Sequence, residues 1–261
     1  MLLHATDLGF SYGGPLVLDG VSLAIDRGMA VGILGPNGSG KTTLLRLIAG
    51  AIAPQTGRIV FDGKPLAEFS RRAMARRLAV VPQETELAFD YTVLEVVLMG
   101  RYPHLGPFEI EGPDDLEAAY AALDATGTRG FADRPFRTLS GGEKQRVIIA
   151  SALAQIDFRP QGSRPRSENA LLLLDEPTAS LDLKYQLEIA ALLRRLRVER
   201  GITMLLTTHD LHFARAVCTH IVLLSQGREL ASGRPDEMIV PPLIASLYGV
   251  DPAAVASFVT P

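Results

Sequence analysis

The sequence predicts an α/β protein: a parallel sheet with crossover helices, an antiparallel β portion at the start and an inserted helical segment. Three observations lead there. Short apolar runs alternate with helical patterns, as in "ALLLLDEP", "KYQLEIAALLRRLRVER", "GITMLLTTH" and "DLHFARAVC". That alternation is the pattern of strands joined by helices in a parallel sheet. The opening instead alternates with period two, and residues 84–155 turn helical in pattern.

Taken in order, "LLHATDLGFSYG" and "LVLDGVSLAIDRG" read as antiparallel strands separated by glycines. "AVGILG" is a short apolar run of the buried-strand type. A Gly-rich loop follows, and "KTTLLRLIAG" reads as a helix closed by Gly50. "GRIVFDGKPL" predicts a hairpin, and "RLAVVPQ" a strand stopped by proline. "TVLEVVLMGR" and "DLEAAYAALDATG" predict helices of the inserted segment, which ends with a helix over 143–155. On that helix Val147, Ile148, Ala152 and Leu153 fall near one face. "HIVLLSQGRELASG" predicts a second hairpin. Residues 157–169, "DFRPQGSRPRSEN", are polar, aperiodic and rich in Pro and Arg. They read as an exposed loop. The whole of 1–261 reads as one domain.

Bulk properties narrow the classes. A chain of 261 residues, 47% hydrophobic, can bury a substantial core. The net charge of −3 gives no electrostatic case for a nucleic-acid partner. One cysteine, Cys218, excludes an internal disulfide and fits a reducing compartment. "MLLHATDLGF" has no basic leader followed by an apolar core, and no run reaches membrane-spanning length. The expectation is a soluble chain that meets a membrane only through partners.

The chemistry concentrates in a few motifs. "GPNGSGKT" comprises Gly35, Pro36, Asn37, Gly38, Ser39, Gly40, Lys41 and Thr42, followed by Thr43. It has the spacing G-x-x-x-x-G-K-[ST] between a strand and a helix, the signature of a phosphate-binding loop. Its glycines let backbone N–H groups face phosphate oxygens. Lys41 reaches the β and γ oxygens, and the Thr42 hydroxyl can ligate Mg²⁺. Asp175 and Glu176 close the apolar run "LLLLDEP" at the strand edge where ligands sit in such sheets. Asp175 can hold Mg²⁺ and Glu176 can take a proton from an attacking water. His209 and Gln83 each follow an apolar run in the same way, as γ-phosphate, metal or catalytic contacts. "LSGGE" opens a helix at Ser140 with Gly141 and Gly142, although glycine costs about 1 kcal/mol against alanine inside a helix. Glu143 follows Ser140 by three residues, as in a capping box. A helix N-terminus with bare N–H groups favours anions.

The ordered set of phosphate loop, Gln83, "LSGGE", "LLLLDEP", "SLD" and His209 resembles the ATP-binding subunits of ABC transporters over essentially the whole chain. The resemblance implies a P-loop NTPase core of the ABC ATPase type, with ATP and Mg²⁺ as cofactors. It implies that Tyr12 stacks on adenine. It further implies that Ser140, Gly141, Gly142 and Glu143 act in trans on the ATP of a second copy, with Ser180, Leu181 and Asp182 as a dimer loop. The family's usual fifth signature residue is Gln. Glu143 is therefore expected to point back into the capping box, or toward Lys144 or Arg146. Implied partners are a second copy, transmembrane permease subunits and, indirectly, a periplasmic or extracellular binding protein. The implied place is the cytoplasmic face of the membrane.

"GRYPHL" after "TVLEVV", with "LIASLYGVDP" near the end, is similar to importers of ferric siderophores, haem and cobalamin. Leu87, Phe89 and Tyr91 are candidates for the apolar surface that receives a permease helix, or for helical-segment core. A soluble ABC ATPase of translation or repair is the alternative, and a non-catalytic nucleotide-binding module a third reading. One phosphate loop, no heptad run and no basic stripe argue against the alternative. Glu176 and His209 argue against the third.

Overall fold

The computed structural model describes residues 1–85, 87–156 and 169–259. Apart from Asn169, the exposed loop expected over 157–169 lies outside the described residues. In chain order the elements are β1 (Leu3–Phe10), β2 (Leu18–Ile25), β3 (Ala30–Leu34), α1 (Lys41–Ile48), β4 (Thr56–Phe61) and β5 (Lys64–Pro65). Then come α2 (Arg71–Ala75), β6 (Leu78–Val81), α3 (Val93–Met99), α4 (Pro113–Thr126), α5 (Gly141–Gln155), β7 (Leu171–Asp175) and α6 (Leu183–Arg200). The chain ends with β8 (Thr203–Thr208), α7 (Leu211–Val217), β9 (His220–Ser225), β10 (Arg228–Gly233), α8 (Pro235–Met238), α9 (Pro241–Tyr248) and α10 (Pro252–Val259). Two units divide it: Met1–Glu68 with Thr203–Pro261, and Phe69–Ile202.

The first unit contains both kinds of strand the sequence predicts. β2, β1, β4 and β5 form an antiparallel sheet in that order, with Leu3 opposite both Ile25 and Phe61. Along β2 the apolar residues Val21, Leu23 and Ile25 are buried in period-two alternation, and Leu18 is buried one phase off, beyond an irregularity in the pairing with β1. β3 is buried throughout and pairs in parallel with β8 on one side and β9 on the other. A strand covered on both faces has no polar side to alternate, so it reads as one apolar run. Thr203, at the start of β8, is also buried; its hydroxyl accepts a hydrogen bond from the Gly28 N–H at 2.9 Å.

In the second unit β6 and β7 pair in parallel, Leu78 with Leu171 through Val81 with Leu174. α3, α4 and α5 pack on one another. α5 starts at Gly141 behind its Ser140 cap, as "LSGGE" predicts. It differs from its sequence pattern in burying Ile149, Ala150 and Ala154 in addition to the expected stripe, so it is an interior helix rather than an amphipathic one. Arg101 and Asp115 form a buried ion pair at 2.9 Å, and the Arg101 guanidinium also donates to the Ala154 carbonyl at 2.7 Å. Burial pushes the Asp115 carboxyl up. The Gly112 N–H and the Arg101 guanidinium outweigh it and hold the carboxyl below its ordinary value.

Candidate nucleotide-binding site

In the first unit the phosphate loop runs from the end of β3 to the start of α1. Gly38 and Gly40 have φ of 80° and 103°, a region that side-chain-bearing residues rarely adopt. Gly35 meets a different demand. A Cβ there would lie 2.2 Å from the Leu224 carbonyl oxygen and 2.6 Å from Ser39 Oγ, so only glycine fits. The loop therefore wraps tightly while Lys41 stays buried behind it. Its Nζ donates to the carbonyls of Gly35 (2.9 Å) and Pro36 (3.1 Å). Ser39 Oγ is buried with no hydrogen-bond partner. Left-handed glycines, a buried lysine and an orphaned hydroxyl in one turn fit a polyphosphate. The parallel register of β3 with β8 ends at Leu34 opposite Thr208. Gly35 and His209 are the next residue of each strand, so the loop and His209 emerge at the same sheet edge.

Tyr12 belongs to this unit and is 58% exposed. Its ring packs edge-on to Phe10 at 4.8 Å, and its hydroxyl lies 3.4 Å from Thr43 Oγ1. The Arg46 guanidinium donates to the same hydroxyl at 3.4 Å. The Thr43 contact, then Arg46, holds the phenol below its ordinary range. Arg46 was not legible as a neighbour of Tyr12, since 34 residues separate them.

The second unit has a corresponding edge. Val81 of β6 sits opposite Leu174 of β7. Gln83 follows two residues after Val81, exposed, and Asp175 and Glu176 directly follow Leu174. The register brings these three residues to one edge. Glu176 has φ 46°, and Ser180 has φ 64°. Asp182 then caps α6, its carboxylate accepting the Tyr185 N–H at 3.2 Å.

The "LSGGE" segment forms the start of α5. Ser140 is the N-cap, and Glu143 accepts from the Ser140 N–H at 2.8 Å and from its hydroxyl at 2.9 Å. Glu143 thus adopts the capping-box arrangement, the first of the orientations expected for it. Those Ser140 bonds hold its carboxyl below the ordinary glutamate value. Gly142 has a reason that the sequence did not show. A Cβ there would lie 2.2 Å from Tyr185 Cδ1, and one on Gly141 would lie 3.3 Å from Leu181 Cδ2. The start of α5 thus packs against the segment that holds Ser180, Leu181 and Asp182. No sequence signal marks Tyr185 as their partner.

Comparison with known proteins gives one consistent answer. The family model described as ABC transporter matches residues 18–179. The hemin import ATP-binding protein HmuV of Myxococcus xanthus (strain DK1622) is 42% identical over 88% of this chain and 83% of its own length. The uncharacterized ABC transporter ATP-binding protein YvrA of Bacillus subtilis (strain 168) is 38% identical over 97% of this chain, which spans only 54% of that relative. A solved inward-facing metal-chelate type ABC transporter matches with TM-score 0.80 and 30% identity, over 95% of this chain and 88% of that one. The strand order, the phosphate loop and these matches lead to one conclusion: the chain belongs to the ABC transporter ATP-binding family.

Proposed function

We propose that this chain is the ATP-hydrolysing subunit of an importer for a metal chelate, with a ferric siderophore, haem or cobalamin as cargo. The carrying observation is the strand register. It sets Gly35 and His209 at one edge, and Gln83, Asp175 and Glu176 at another. Lys41 binds the β and γ oxygens, with Gly35–Thr43 as the cradle and Tyr12 against adenine. Glu176 takes a proton from the attacking water, and His209 contacts the γ-phosphate. Mg²⁺, held by Thr42, Gln83 and Asp175, would neutralise charge that develops on the phosphates.

A second copy completes each site by presenting Ser140, Gly141, Gly142 and Glu143 to the partner's ATP, with Ser180, Leu181 and Asp182 along the same face. Permease subunits dock beside Gln83. Phe89, 73% exposed, is an apolar residue available to that surface. Its ring meets Tyr91 edge-on at 6.1 Å. No described helix is long and apolar enough to cross a membrane. The reading places the chain at the cytoplasmic face, held by the permease and served indirectly by an external binding protein.

Vesicles containing the cognate permease, its binding protein and this chain test the cargo. ATP-dependent uptake of one of the three chelates is expected, with none for Lys41→Ala. Steady phosphate release with uptake of no chelate would refute the importer reading.

A further inference from the structure

We propose that Tyr248 is a positioning residue for His209, so that the C-terminal helices take part in ATP hydrolysis. The inference rests on the reading of His209 as the γ-phosphate contact. His209 lies between two fixed points. Before it, β8 ends at Thr208, whose hydroxyl accepts the Asp210 N–H at 3.0 Å. After it, Asp210 caps α7 by accepting the Phe213 N–H at 3.0 Å. The peptide carbonyl of His209 accepts a hydrogen bond from the Tyr248 hydroxyl at 3.4 Å.

Tyr248 is the last residue of α9. Gly249, at φ 67°, ends that helix, and the Val250 N–H returns to the Ala245 carbonyl at 3.0 Å. The backbone from which the ring projects is thereby fixed. His209, Leu211, Ile244, Tyr248, Val250 and Val255 line one pocket of about 430 Å³. Its wall is largely aliphatic, and such a wall does not orient an imidazole or a peptide plane. The Tyr248 hydroxyl is a directional contact in that wall. A tether on the His209 carbonyl limits rotation of the peptide plane that carries the imidazole. Small displacements of a positioned group matter greatly to rate. The hydroxyl touches no reacting atom, so its effect must pass through His209.

The test compares the full-length parent with Tyr248→Phe, His209→Ala and the double variant, in single turnover with protein in excess. Tyr248→Phe keeps the ring and removes the hydroxyl. Loss of one such bond should slow hydrolysis about 3- to 10-fold, with ATP affinity and Tm unchanged. In the His209→Ala background, the same change should have no further effect. Val250→Ala, which trims the same wall without touching the hydroxyl, should leave the hydrolysis rate unchanged. Three results overturn the inference. Tyr248→Phe could match the parent within twofold while His209→Ala is inactive. The two lesions could multiply, which would make Tyr248 act independently. His209→Ala could hydrolyse ATP normally, which overturns the underlying reading and this inference with it.

Discussion

Glu176 has φ 46° immediately after β7. A residue with a branched-off side chain rarely holds that conformation, and such strain concentrates at functional positions. It turns the chain at the point where Asp175 gives way to the proposed general base. Glu176→Gln keeps the size and backbone of the site while removing the base. ATP should still bind and hydrolysis should fall by roughly 10²–10⁴-fold, measured as phosphate release. A near-normal rate would take the role from Glu176. Gly142 is constrained differently, by the Tyr185 ring where a Cβ would have to go. Gly142→Ala should lower stability by about 1–3 kcal/mol even without nucleotide. Thermal unfolding reads this directly, and an unchanged Tm would show that α5 shifts freely at its start.

At the scale of elements, α3, α4 and α5 share one device. Each has an acid at its third helical position that accepts the N–H of the residue before the helix: Glu95 from Thr92, Asp115 from Gly112, Glu143 from Ser140. All three carboxyls sit below their ordinary values. Groups depressed in the folded state add stability that is full above their unfolded values and is lost as pH falls through the folded ones. The helices of this unit should therefore loosen together below about pH 4, seen as falling helical circular dichroism. Asp115→Ala should destabilise by about 3–5 kcal/mol, because it removes the carboxylate that faces the buried Arg101 guanidinium. Replacing both partners with apolar residues should recover part of that loss in denaturant unfolding.

These elements also show what could be read beforehand. β3, β7 and β8 are short apolar runs bounded by motifs, so burial on both faces made them plain in the sequence. α2 was missed because it is five residues long and buries only Met74. α8, α9 and α10 begin with proline, which suits the first turn of a helix yet reads as a break in a chain scanned for periodicity. The phosphate loop was legible because its chemistry fixes residue type and spacing together. Tyr185 behind Gly142, and Tyr248 on His209, were not, since contacts between distant residues leave no local period.

For the whole molecule, the proposed arrangement gives each ATP a Lys41 from one copy and a Ser140 from the other. Ser140→Arg should still bind ATP through its own phosphate loop yet fail to hydrolyse it, and Lys41→Ala should fail at binding. Mixed, the two variants form dimers in which one site carries both lesions and the other neither. Hydrolysis should return in the mixture, while each variant alone stays inactive. Loss of ATP binding by folded Ser140→Arg would mean that the segment acts on its own chain.

The Ser140–Glu143 box has a consequence for that meeting. A serine hydroxyl has one hydrogen, and here it points at a carboxylate 2.9 Å away. Glu143 stays ionised near neutral pH, since its carboxyl is held below the ordinary value. In the proposed dimer, the phosphate of the partner's ATP competes with an anion already in place for the same hydrogen. The hydroxyl would swing from one to the other, and the Glu143 carboxylate would keep the Ser140 N–H. On that proposal, glutamate at this position makes the serine a two-way rotor. Its resting orientation faces its own helix, and each engagement across copies would be an exchange of acceptors rather than the simple gain of one.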